Sequence, residues 1–202
     1  MLLEKPDRER GFKKERMLRL ILNHPNGEFR KPELAEMVNA SQGWVYSFTN
    51  GLEKQGYLEG TRVVECRPLY EEWLNTRIEP NALSVSFQQP MHFLEEETQL
   101  EYALTTYQAE NLVQGFLFAS KTEFYIRPGQ IHDWITIVEE EGLLGGGNTR
   151  IRVTDDHVFY NSQQRGSHSI VSTPQLIVDL LDEGGPCEEA AEKLIASYHS
   201  TD

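Results

Sequence analysis

Residues 41–58 read SQGWVYSFTNGLEKQGYL, and their spacing sets hydrogen-bonding side chains along one face of a helix. Val45, Phe48 and Leu52 recur at three and four residues and commit one stripe to a core. In this reading Gln42, Gly43, Trp44, Tyr46, Ser47, Thr49 and Asn50 face outward. Gln and Asn pair with adenine in bidentate fashion, and Ser and Thr reach bases or phosphates. Gln42, Trp44, Tyr46, Ser47, Thr49 and Asn50 are therefore candidate base contacts on double-stranded DNA. The alternative is that Trp44 and Tyr46 pack against another helix or a second subunit. The stretch holds one lysine and no arginine, so it can specify a sequence but cannot anchor to phosphates.

Anchoring cations must come from elsewhere. The first helix supplies Arg8, Arg10, Lys13, Lys14, Arg16 and Arg19, the second Arg30 and Lys31, and the following hairpin Arg62. Lys13, Lys14, Arg30, Lys31 and Arg62 are the candidate phosphate contacts. A second copy of the chain, in a homodimer, would add more. The alternative is an ordinary solvated helix face with local pairs such as Glu9 with Lys13.

The second half offers weaker chemistry. LLGGGNTRIRVTDDHVFY (143–160) holds three glycines, but a phosphate loop needs GxxxxGK[ST] leading into a helix. Here the glycines lead into a strand and no lysine follows. Asp155, Asp156 and His157 alternate faces on a strand and lack HExxH spacing, so an Asp-rich loop is the simpler reading than a metal site. Arg165-Gly166-Ser167 resembles the start of a nucleotidyltransferase signature without the paired aspartates that should follow. Gln175 and Asp179 sit one helical turn apart, either sharing a site or bonded to each other at the surface. No cofactor, metal or enzymatic activity is expected.

These residues need elements to hold them. Helical periodicity from Glu9 carries Met17, Leu18, Ile21 and Leu22 and stops at His24-Pro25-Asn26-Gly27. Glu28–Arg30 reads as a very short strand. Pro32 opens a second helix, Ser41 caps a third, Gly56 ends it, and a hairpin turns at Glu59-Gly60. Three helices and a hairpin give the order of a winged helix-turn-helix. A connecting helix spans 68–78. Beyond Pro80 the pattern predicts a strand at 83–87, a long helix from about Glu95 to Val113, a strand at 122–127 and a helix around Ile131–Val138. Strands at 149–154, 157–161 and 168–171 and a terminal helical pair at 174–181 and 186–197 follow. The expected class is α+β, with domains at 1–79 and 80–202 and an antiparallel sheet in the second.

Charge divides at the same place. The chain of 202 residues has a formal charge of -13, yet residues 1–79 hold 13 Lys+Arg and 13 Asp+Glu, and the whole excess lies after 79. Two well-separated cysteines, Cys66 and Cys187, make no zinc or disulfide pattern. No apolar run is long enough for a membrane span, and MLLEKPDRERGFKKER lacks the apolar core of a signal peptide. A cytoplasmic location is expected.

An ordered set of short matches then resembles a known family. EYALTTYQAENLV, TEFYI, GGGNTRIRVTDDHVFY and IVSTPQLIVDLLDEGGPCEEAAEKL are similar to the AbiEi family, antitoxins of type IV toxin–antitoxin pairs and related transcriptional regulators. The matching positions are Tyr102–Thr105, Gly146–Asn148, Asp155 or Asp156, Pro174–Leu176, Asp179-Leu180 and Glu189–Leu194. Gly185-Pro186-Cys187 departs from the Gly-Arg-Gly often found there. The resemblance implies an N-terminal winged helix that binds an operator and represses its own operon. It also implies a second domain that counteracts a nucleotidyltransferase-type toxin encoded nearby. Two rivals remain: a winged-helix protein-interaction module that never meets DNA, and a metal-dependent nucleotidyltransferase or nuclease using Asp155 or Asp156.

Overall fold

The computed structural model describes residues 3–7 and 9–200, the side chains of Glu9 and Arg10 excepted; Arg8 and the Arg10 side chain thus lie outside the described residues. Helix α1 (Glu9–Asn23) buries Met17, Leu18, Leu20, Ile21 and Leu22. Pro25 and Gly27 stop it as their chemistry requires: Gly27 has φ 77°, and a Cβ there would stand 2.9 Å from the Arg62 backbone nitrogen. Helix α2 (Lys31–Met37) has Pro32 in its first turn, and Glu33 accepts from Arg30 N–H at 2.6 Å. Helix α3 (Gln42–Lys54) begins at Ser41, whose hydroxyl accepts from Trp44 N–H at 3.3 Å. The hairpin of β1 (Leu58–Glu59) and β2 (Arg62–Val63) follows. The expected strand at 28–30 is absent; instead Asn26 forms a single antiparallel bridge with Arg62. Helix α4 (Cys66–Thr76) packs on α1.

The rest of the chain builds a mixed sheet. Strand β3 (Asn81–Ser86) leads to a short α5 (Pro90–His92) that widens into a π-helical turn at Phe93–Glu97. Then come β4 (Tyr102–Thr105), α6 (Thr106–Val113), β5 (Thr122–Ile126), α7 (Ile131–Glu141), β6 (Leu143–Leu144) and β7 (Thr149–Val153). A 3-10 turn at Asp156–Phe159 occupies most of the predicted strand 157–161. Strands β8 (Gln163–Arg165) and β9 (His168–Ile170) precede the terminal helices α8 (Thr173–Glu183) and α9 (Pro186–Tyr198). Strand order is β6-β3-β7-β5-β4-β9-β8.

Two expectations are corrected here. The sheet is not purely antiparallel, because β5 pairs with β7, and β4 with β9, in parallel. The long helix 95–113 is a π-turn, a strand and a shorter helix. Thr106, at φ 47°, breaks the chain between strand and helix. No described helix is long and apolar enough to cross a membrane.

The glycine-rich entry to β7 is a packing device. A Cβ on Gly147 would lie 2.1 Å from Val85 O, so only glycine lets this backbone cross β3 so closely. Asn148 completes the crossing: its amide donates to Phe87 O at 2.8 Å and accepts from Phe87 N–H at 3.2 Å.

Helix α8 lies between the helical region and the sheet, contacting α1, α4, α6 and α9. It is buried from Thr173 to Leu180, including two polar residues, Gln175 and Asp179, at its centre. Asp179 accepts from Arg77 (2.6 Å), Tyr125 OH (2.9 Å), Thr105 OH (2.5 Å) and Gln175 (2.9 Å). Gln175 Oε1 in turn accepts from Arg19 at 2.7 and 2.9 Å. The pair is thus no surface contact but the centre of a buried seam joining the two halves of the chain. Arg16 adds a two-pronged ion pair with Asp155, and Arg19 stands 3.1 Å from His157 Nδ1.

This seam predicts acid sensitivity. Burial and the nearby Arg19 charge push His157 from its ordinary value down to about 3. Burial opposes the Asp155 charge, but Arg16 prevails and holds its carboxyl below the usual value. Both shifts have one sign: the unfolded chain takes up protons that the native state refuses. The His157 contribution is complete above about pH 6.5 and is lost as pH falls toward 3. That of Asp155 disappears below the ordinary carboxylate range. Urea midpoints should therefore fall steadily from pH 6.5 to 4, and His157→Gln should flatten that slope. An equal slope in the variant would refute the assignment.

Candidate nucleic-acid interface

Helix α3 places its apolar stripe inward and leaves Gln42, Gly43, Tyr46, Ser47 and Asn50 exposed. Thr49 is the exception and is removed from the candidate base contacts. It is fully buried, one turn after Val45 on the core stripe, and its hydroxyl donates to Val45 O at 2.9 Å. Trp44 is half-buried, its ring stacked on Phe48 with centroids 5.2 Å apart. It belongs to the edge of the face rather than its centre. Tyr46 is 44 % exposed, which leaves an aromatic ring in water beside three polar side chains.

Lys31 sits against this face from α2. Its ammonium donates to Asn50 Oδ1 and to Glu53, both at 2.9 Å, and lies 5.5 Å from the centre of the Tyr46 ring. The structure thus brings Lys31, Tyr46 and Asn50 together. Glu53 also accepts from Gly60 N–H at 2.8 Å, fastening the hairpin turn to α3. The hydrogen bond from Lys31, then that from Gly60, hold its carboxyl below the usual range. Arg62 is exposed on the hairpin and paired with Glu59. Arg30 is exposed next to Lys31, with no ion pair among the described residues.

The cations of α1 are differently placed. Arg19 is buried and Arg16 is engaged with Asp155, so both serve the seam. Lys14 lies 3.7 Å from Glu72 of α4. Lys13 is half-buried on the same helix. Among the described residues, no hydrogen bond or ion pair joins Lys13 or Lys14 to α3 or the hairpin. The exposed interface therefore has Arg30, Lys31 and Arg62 close in sequence to its own elements, and carboxylates at Glu53 and Glu59 that compete for two of them.

Asp155, Asp156 and His157 do not converge. Asp156 lies 3.4 Å from Arg127, while Asp155 and His157 face Arg16 and Arg19. What sequence reasoning misses is Glu53, whose spacing after Asn50 marks it only as a charge in the last turns of α3. Comparison with family models, with curated proteins and with solved structures gives no match.

Proposed function

We propose that residues 1–79 act as a winged helix-turn-helix and that the chain is a DNA-binding transcriptional regulator of the AbiEi type. It is a cytoplasmic repressor or antitoxin acting at its own promoter, without enzymatic activity. The observation that carries this reading is the exposed face of α3, where Gln42, Tyr46, Ser47 and Asn50 stand beside Lys31. In the major groove such a face would read base edges while Arg30, Lys31 and Arg62 hold phosphates. Lys13 and Lys14 complete the proposed phosphate set. A nucleotidyltransferase-type toxin is the partner proposed for the acidic second half.

One observation favours a rival. Arg16 and Arg19 are committed internally, which lowers the cation supply and suits a protein-interaction module. Titration of the full chain with its own promoter fragment, at several salt concentrations, separates the two. DNA binding predicts an affinity that falls with salt, by roughly 0.9 log units per log unit for each phosphate contact. Arg30→Ala or Arg62→Ala should lower that slope by about one, with equal losses on all sequences. Gln42→Ala and Asn50→Ala should instead erase the preference for the promoter over random DNA. Binding with no salt dependence, or none at all, would sink the proposal.

A further inference from the structure

One carboxylate holds the α3 face together. Glu53 follows Asn50 by three residues and Tyr46 by seven, so all three lie along one side of the helix. Its two oxygens serve different elements. Oε2 accepts from Lys31 of α2 at 2.9 Å, and Oε1 accepts from Gly60 N–H in the hairpin turn at 2.8 Å. The second bond also sets the hairpin that carries Arg62 against α3.

Lys31 is engaged from two sides. Its ammonium has three donors, and Glu53 and Asn50 Oδ1 accept from two of them. Its side chain is only 15 % exposed and lies beside the Tyr46 ring. An ammonium can only donate, so it holds the Asn50 amide oxygen toward itself. The amide N–H groups, which make no hydrogen bond among the described residues, are left for a base acceptor such as purine N7. The charge of the lysine is meanwhile cancelled by the carboxylate beside it. Glu59 makes a different pair with Arg62. Both of those side chains are over half exposed, and among the described residues no hydrogen bond or ion pair joins Glu59 to α3.

We propose that Glu53 is a specificity-determining residue of the DNA-reading face, a positioning residue that acts through Lys31 and Asn50; the inference rests on the DNA-binding reading. Its negative charge opposes phosphate attraction within the face, so backbone contact alone holds the chain weakly. By keeping Lys31 on Asn50 it commits that cation to orienting a base reader. Affinity is thereby shifted from phosphates, which every sequence offers, to base edges, which distinguish the operator.

The test is Glu53→Gln in the full chain, titrated against the promoter fragment and against random duplex at several salt concentrations. Glutamine has the same shape and can still accept from Gly60 N–H, but it has no charge to keep Lys31 from phosphates. Random duplex should bind roughly fivefold tighter, the scale of one exposed ion pair, and its salt slope should steepen by roughly 0.9. Preference for the promoter should fall by about the same factor, because there the gained phosphate contact is offset by the loss of an oriented Asn50. Glu59→Gln is the control: it frees Arg62 without touching Asn50, so both duplexes should tighten alike and the preference should persist. A merely structural Glu53 would instead weaken both duplexes together and lower the urea midpoint. If the wild type binds DNA but Glu53→Gln leaves slope and preference unchanged, or weakens both duplexes equally, the inference fails and the DNA-binding reading stands. An equal loss of preference in Glu59→Gln would also overturn it. If the wild type binds neither duplex, the DNA-binding reading fails and takes this inference with it.

Discussion

Asp179→Ala is expected to destabilise the protein by about 3–5 kcal/mol, the range for removing one partner of a buried ion pair. Asp179 is fully buried and accepts hydrogen bonds from four side chains. Arg77 shows what the carboxylate does. Burial works to discharge its guanidinium, but Asp179 more than offsets this and holds its pKa above the ordinary value. Alanine leaves that cation, the Tyr125 and Thr105 hydroxyls and the Gln175 amide without their common acceptor. Each then bears a desolvation cost, which for Arg77 is offset only in part by Asp182 and the Val178 carbonyl, both at 3.3 Å. Urea unfolding at pH 7 would measure the loss. Asp179→Asn, which keeps an acceptor but not the charge, should fall between wild type and alanine. A loss under about 1 kcal/mol for alanine, the scale of a surface pair, would mean that the seam is solvated.

Gly147→Ala is the second large effect, about 3 kcal/mol, at the upper end for overpacking. The added carbon would meet Val85 O at 2.1 Å, Val85 C at 2.3 Å and Ser86 N at 2.4 Å. All three are backbone atoms of β3, so no rotamer change relieves the contact. The strand itself must shift, loosening its ladder to β7 and the Asn148 clamp on Phe87. Gly146 is the internal control, since nothing lies within 4 Å of a Cβ there. Gly146→Ala should leave the urea midpoint nearly unchanged. Comparable losses at both positions would point to general loop rigidity instead of this one crossing.

Local chemistry makes the helical elements legible. Pro32, Ser41, Pro174 and Pro186 each stand at or next to a helix start, and the apolar stripes of α1, α3, α7 and α8 repeat at helical spacing. Strand β4 is illegible for a physical reason. Tyr102, Ala103, Leu104 and Thr105 are all buried, so a central strand shows no alternation. Its apolar residues also happen to fit a helical period with Leu100 and Tyr107. Parallel pairing leaves no mark either, since β5 and β7 are joined through α7 and β6 rather than by a turn that fixes register. Thr49 misleads because its type suggests solvent, although its position one turn from Val45 lies on the core stripe. Gln175 and Asp179 invite a surface reading because their partners Arg19 and Arg77 are more than 100 positions away. Of the candidate interface, the exposed polar row is readable, whereas the Lys31 contacts require α2 and α3 to be packed together.

The seam also changes what the charge of the helical region means. Residues 1–79 are neutral when counted, but Arg16, Arg19 and Arg77 point their charge into the other half of the molecule. The solvent-facing remainder is therefore acidic on both halves, and attraction to a polyanion has to be local, confined to patches such as Arg30 and Lys31. The same arrangement bears on fragments. A polypeptide ending at residue 79 would lose the acceptors that Asp155, Gln175 and Asp179 offer to Arg16, Arg19 and Arg77, and its complement would carry Asp179 with no counter-charge from Arg77. Neither piece in isolation would report faithfully on the intact chain.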